Sequence, residues 1–290
     1  MRRHSAEKLA RRRTERYGIV AAAVCVAAGG PLDREALLQE RERALQGFRD
    51  PRTSPLAAVA RHDFLGDKPL SLGGAPDDDV QLDGVAPHAV RLRALADGFE
   101  MTRDGKTEIL APSARVALGR FTLRLSHQNF PGVVVLDPAS PRLTTGPFPI
   151  WFDPDPALRV EARLVQDRPA QEQVILSTRG NKRRALHLGQ LQFELGGKPM
   201  KLSALRLLEP GQGEAAVSIF FRDATTGHES YPVGRYVDAE PLGGDRYALD
   251  FNRAYNPACA FSPLYNCPIP PRENVLPLAV RAGERDPGGH

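Results

Sequence analysis

Hydrophobic and polar positions keep two different rhythms along this chain. Between Pro31 and Arg49, Leu37, Leu38, Arg41, Leu45 and Phe48 fall on the spacings that gather side chains onto one helical face, with Glu and Arg elsewhere. Asp50-Pro51 closes that pattern, because the residue before a proline is pushed out of helical backbone space. The spacing therefore predicts a helix over residues 33–48. After it the period shortens to two, or collapses into brief apolar runs cut by Gly, Pro, Asn or Asp. Examples are Val133–Leu136, Leu158–Val165, Leu191–Leu195 and Val217–Arg222. The predicted fold is mainly β: one N-terminal helix followed by two packed antiparallel β modules, sandwich-like or barrel-like.

Prolines 138, 141, 147, 149, 154 and 156 crowd one stretch. Proline rarely runs through a central strand, so this stretch is expected to connect the modules. The resulting division has six parts. Residues 1–30 are a targeting or disordered segment, 31–52 the helix and 53–137 an N-terminal β module. Residues 138–156 are the connection, 157–284 a C-terminal β module and 285–290 a tail.

Length and composition narrow the class without naming a function. The chain has 290 residues, 26 Gly and 26 Pro, and 41% hydrophobic residues. It has no glycine period, sustained heptad or apolar run long enough for a span, which excludes collagen, coiled coils and multi-span membrane proteins. The net charge of +4 suggests nucleic acid until it is located. Residues 1–16 alone carry +5, leaving the other 274 residues at −1. A body with that balance has no phosphate-tracking surface, so no nucleic-acid partner is expected.

The basic start is followed by the small or apolar run 18–28, the order of a secretory signal. The expected location is exported or membrane-tethered, with the cytoplasm as the alternative. A tether would involve this segment only, and residues 1–28 are expected to add nothing to the folded body. Oligomeric state is left open.

Two resemblances emerge from particular residues. Leu70–Leu82 followed by Ala86–Leu92 resembles the core of a forkhead-associated domain, a β-sandwich that reads phosphothreonine. Gly74 and Ala86-Pro87 stand where that family places Arg and a Ser-Arg pair, so the sandwich is implied and phosphate contact is not. His88 is then expected to be structural. Farther on come Phe220–Tyr231, Gly234–Tyr236, Leu249–Phe261 and Tyr265–Pro277. Together they resemble the bacterial and archaeal domain-of-unknown-function family 1684, which implies no reaction.

Alternation indicates which of these side chains could meet. Val217, Ile219 and Phe221 face one way, and Ser218, Phe220 and Arg222 the other; Tyr247, Leu249 and Phe251 share a face opposite Asp250 and Asn252. A polar pocket is therefore predicted from Arg222, Asp223, Tyr231, Arg235, Asp250, Asn252, Tyr255 and Asn256. A guanidinium fork there would suit a small anionic ligand. In this reading Arg235 anchors the anion, and Gly234 leaves backbone room beside it. The same residues could instead brace a proline-rich loop, since buried polar groups must be paired either way.

Cys259 and Cys267, eight apart, fit a short-loop disulfide better than a zinc site, which needs two close ligand pairs. The disulfide requires an oxidising compartment; elsewhere they would be inert thiols, or Cys259 a nucleophile if a His folds close. No metal or cofactor is expected, and the chain carries no Walker, H-E-x-x-H, G-x-S-x-G or dinucleotide motif. Two functions remain: a binding or structural module with a polar C-terminal pocket for an anionic ligand or partner segment, and a hydrolase-type enzyme using the Arg/Asp/Tyr/Cys cluster of residues 222–267.

Overall fold

A computed structural model describes residues 32–212 and 217–288. The expected targeting segment and Cys25 lie outside the described residues. The helix α1 spans Arg34–Arg49, within a residue of its predicted limits, and the Asp33 carboxylate caps it by accepting the Ala36 N–H.

Behind it the chain builds two sheets and a barrel. A five-stranded sheet runs in the order β3 (Val80–Gln81), β2 (Leu70–Gly73), β4 (Val90–Ala94), β5 (Phe99–Arg103), β6 (Lys106–Leu110). A four-stranded sheet runs β1 (Ala58–Asp63), β9 (Gly132–Leu136), β8 (Phe121–Ser126), β7 (Arg115–Leu118). Leu72, Leu92 and Phe99 of the first sheet meet Leu123, Val133 and Val135 of the second in one core.

The run Val133–Leu136 is apolar without alternation because β9 is covered on both faces. Val133 and Val135 enter the inter-sheet core, while Val134 and Leu136 join a second cluster with Phe48 of α1 and with Phe261 and Tyr265. That second cluster holds helix, four-stranded sheet and C-terminal loops together. Ion pairs reinforce it: the Arg253 guanidinium donates twice to Glu40 on α1, at 3.0 Å each.

The prolines of the predicted connection hold no strand and one short helix, α2 (Arg142–Thr145). After it, six strands close into a barrel: β10 (Arg159–Leu176), β11 (Lys182–Leu195), β12 (Lys198–Leu207), β13 (Ser218–Phe221), β14 (Arg235–Gly243) and β15 (Arg246–Asp250). The alternation read from sequence sets its inside. Ile219, Phe221, Leu249 and Phe251 fill the interior, whereas Phe220 belongs to an outer cluster with Tyr236 and Tyr255. Strand β10 runs well past the predicted Val165. Its register with β11 jumps between Gln166 and Gln171, and that irregularity accommodates Pro169, which cannot donate to a ladder.

The barrel has one thin seam. Strands β12 and β13 share a single residue pair, Leu205 with Ser218. Beside it the fully buried amide of Asn274 takes the place of main chain. Its Oδ1 accepts the Ser203 N–H at 2.7 Å, and its Nδ2 donates to Ser203 O at 3.0 Å and Phe220 O at 2.9 Å.

Candidate functional site

Most of the polar residues singled out from sequence are occupied within the fold. Arg235 is 1% exposed. Its Nη1 donates to Ala282 O at 2.5 Å and Glu284 O at 3.0 Å; its Nη2 donates to Asp223 Oδ2 at 2.8 Å and Val280 O at 2.7 Å. Asp223 Oδ1 accepts from the Thr225 N–H and hydroxyl and the Val280 N–H. The expected backbone room beside Gly234 is taken, since a Cβ there would lie 2.6 Å from Phe221 O. This geometry turns Arg235 from an anion anchor into a brace for residues 280–284.

Asp250 and Asn252 form a separate knot. The Asp250 carboxylate accepts from Arg159 at 3.0 Å, from Arg253 at 3.2 Å and from Asn252 Nδ2 at 3.0 Å, and Asn252 also bonds both main-chain groups of Asp155. Arg222, two strands away, bonds through its main chain to Asn274 and Leu276, and the structure does not bring it to Asp250. His88, expected to be structural, has its main-chain N–H and ring Nδ1 within 3.1 Å of the buried Asp78 carboxylate.

Three of the candidates, Tyr255, Asn256 and Cys267, reach a cleft of about 780 Å³. One wall is the sandwich: Pro112 and the stretch from Arg124 to Gln128, which ends β8 and enters a tight turn. His127 and Phe130 close that turn with Gln128 and Asn129 at positive φ, the geometry of a type I′ hairpin. Asn129 pins the turn to the barrel by donating to Leu208 O at 2.8 Å. The other wall is the outer face of the barrel, with Phe220, Tyr236 and Tyr255, and the loop residues Tyr265, Asn266 and Cys267.

The floor is fixed by a buried pair. Arg183 donates to both oxygens of Glu209, at 2.5 and 2.6 Å, and its Nη1 holds Asn266 O at 3.2 Å. Such a clamp holds the Asn266 main chain. That side chain belongs to a residue 3% exposed, yet neither its Oδ1 nor its Nδ2 has a protein partner among the described residues; the buried Tyr265 hydroxyl and Gln128 Oε1 are in the same condition. Burial also pushes the Tyr265 hydroxyl above the ordinary phenol pKa, keeping it a donor. Arg124 lies 5.2 Å from the Tyr265 ring and pairs with no carboxylate among the described residues. Charge and aromatic side chains thus line one opening, with unpaired polar atoms buried in its wall. Sequence could not reveal it, because its two walls lie up to about 150 residues apart along the chain and neither Arg124 nor Gln128 sits in a motif.

Cys259 and Cys267 meet at the edge of this region. Both are thiols, and the expected disulfide is not formed. The Cys259 sulfur accepts a hydrogen bond from the Tyr231 hydroxyl at 3.7 Å and lies beside the Cys267 thiol and the Thr178 hydroxyl. Among the described residues no histidine bonds Cys259, which leaves the hydrolase reading without a base for its nucleophile.

Comparison with known proteins gives a family and no activity. Residues 150–285 match the family described as "Protein of unknown function (DUF1684)". A solution NMR structure of an uncharacterized protein from Haloarcula marismortui is 40% identical over 49% of this chain and 78% of that one, with a TM-score of 0.41. No curated protein matches the chain.

Proposed function

The chain belongs through residues 150–285 to the DUF1684 family, and we propose that it is a binding protein whose cleft between sandwich and barrel takes a small anionic ligand with a planar or apolar body. The observation that carries this reading is Asn266. Burying a primary amide with both ends unpaired costs on the order of 1–3 kcal/mol per group, and a site that tolerates this on a cleft wall is built for an outside partner. Arg124 supplies the charge, since its guanidinium fork suits a carboxylate or phosphate. Phe220, Tyr236 and Tyr255 offer faces for the remainder of the molecule.

The test is thermal shift and calorimetry against a panel of small carboxylates and phosphates, with and without an aromatic ring. Binding by the wild type should weaken at least about tenfold in Arg124→Gln and in Asn266→Ala, each removing about one charge-assisted or buried hydrogen bond. If no member of the panel binds, or if both variants bind as the wild type does, the cleft is not the site.

A further inference from the structure

The thiol cluster supports a chemistry independent of whatever the cleft holds. The Tyr231 hydroxyl donates to the Cys259 sulfur at 3.7 Å, Cys259 and Cys267 pack into one cluster where the Cys267 thiol faces Cys259, and the Thr178 hydroxyl, which donates to Tyr265 O at 3.4 Å, lies beside them. The Thr178 hydroxyl also accepts the Cys267 N–H at 3.1 Å. The two sulfurs differ in surroundings. Cys259 sits half-buried on the 3₁₀ turn Ala258–Ala260, whereas Cys267 is 8% exposed and packed in the cluster around Phe261.

That asymmetry has a direction. The hydrogen bond from Cys267 draws the Cys259 thiol below its ordinary pKa against the opposing effect of burial, and the Tyr231 and Thr178 hydroxyls add to it. Donating that hydrogen bond, together with burial, holds the Cys267 proton and raises its pKa well above the ordinary value. The Cys259 thiol therefore ionises before its neighbour, which is the order a sequential reaction of two cysteines requires.

We propose that Cys259 and Cys267 form a peroxide-reactive pair, with the Cys259 sulfur attacking a hydroperoxide and Cys267 resolving the product as an intramolecular disulfide. In the first step an S–O bond forms and the O–O bond breaks. Cys259 is oxidised by two electrons to the sulfenic acid, and the peroxide is reduced to an alcohol or water that carries away the proton Cys259 had released. In the second step the Cys267 sulfur attacks Cys259, the S–S bond forms, and the S–OH oxygen leaves as water with the Cys267 proton. An external dithiol returns the pair to its starting state and is itself oxidised to a disulfide. Size favours a hydroperoxide over a bulky disulfide oxidant, because Cys259 is mostly buried and hemmed in by Tyr231, Thr178 and Cys267.

The experiment uses the full chain with Cys25→Ser, reduced and then treated with one equivalent of hydrogen peroxide. Peptide mass spectrometry should show Cys259 joined to Cys267, and both should resist alkylation after unfolding. At pH 7 the reaction should run faster than that of free cysteine, because the Cys259 thiol is drawn below its ordinary pKa. Cys267→Ser should stop at a sulfenic acid on Cys259, captured by dimedone, while in Cys259→Ser the Cys267 thiol should stay reduced. Tyr231→Phe should slow the reaction and move its pH midpoint upward. Near-UV circular dichroism matching the parent shows that each variant is folded. Full alkylation of both cysteines after peroxide, a rate no faster than that of free cysteine, or first oxidation at Cys267 overturns the proposal.

Discussion

Replacing Arg235 by Lys separates a brace from a ligand anchor. The guanidinium makes four hydrogen bonds, to Asp223 and to the carbonyls of Val280, Ala282 and Glu284, and lies 5.4 Å from the Phe221 ring. A lysine ammonium carries its three donors on one nitrogen. It can keep the Asp223 carboxylate and one carbonyl, leaving two carbonyls buried without a donor. At about 1.5–3 kcal/mol for each hydrogen bond to a charged group, the loss is roughly 3–6 kcal/mol. For a chain of this size that corresponds to a fall in Tm on the order of 10 °C. The single tryptophan, Trp151, is bridged to Glu284 beside this cluster, so its fluorescence during urea unfolding reports the right region. A loss below about 1 kcal/mol, accompanied by weaker binding of an anion, would refute the brace and restore the anchor.

Glu284 gives a pH signature. Burial raises its carboxyl to about 8 from an ordinary 4.5, against hydrogen bonding from Asn256 and the nearby Arg235 and Arg41. The native state then holds a proton that the unfolded state has released, so stability falls as pH rises from about 4.5 to 8, by at most about 5 kcal/mol, and levels off above that. Chemical denaturation across this range should show the fall, and Glu284→Gln should flatten it; a wild-type curve flat from 4.5 to 8 would contradict the assignment. Phe261, packed 4.4 Å from Phe48, ties the C-terminal loops to α1. Phe261→Ala should cost about 3–5 kcal/mol and speed hydrogen exchange throughout α1, whereas unchanged exchange there would mean that the helix is held by other contacts.

The sequence conveyed elements more readily than their meeting places. The helix, β9 and the inward faces of β13 and β15 follow from local periodicity, because each is decided by which side chains share a face. Arg235, Asp223 and Asp250 were legible as residues needing partners but not as residues already supplied with them. Their partners are main-chain carbonyls of residues 280–284 and arginines on other elements, and a carbonyl leaves no trace in composition. Strand β10 was undercounted for a related reason. Pro169 reads as a strand breaker unless an irregular register opposite it is already known. The cleft was not legible as such, although Tyr255, Asn256 and Cys267 on its barrel side were singled out, since Arg124 and Gln128 have unremarkable neighbours in sequence and acquire a role only when sandwich and barrel dock.

The seam at Asn274 has a consequence for how the chain acquires its shape. The bonds that complete the join of β12 and β13 come from a side chain 71 residues beyond Ser203 and 54 beyond Phe220, whereas β10, β11 and β12 are consecutive hairpins. Contacts so distant along the chain are made late, after loop-closure entropy has been overcome. Without them β12 and β13 meet at a single residue pair, and the unpaired main chain of these buried, apolar strands would be a template for another molecule's backbone. The segment around Asn274 thus covers an edge that would otherwise be adhesive. A substitution at this position uncovers that edge and leaves main chain of Ser203 and Phe220 unpaired, so aggregation is its expected outcome.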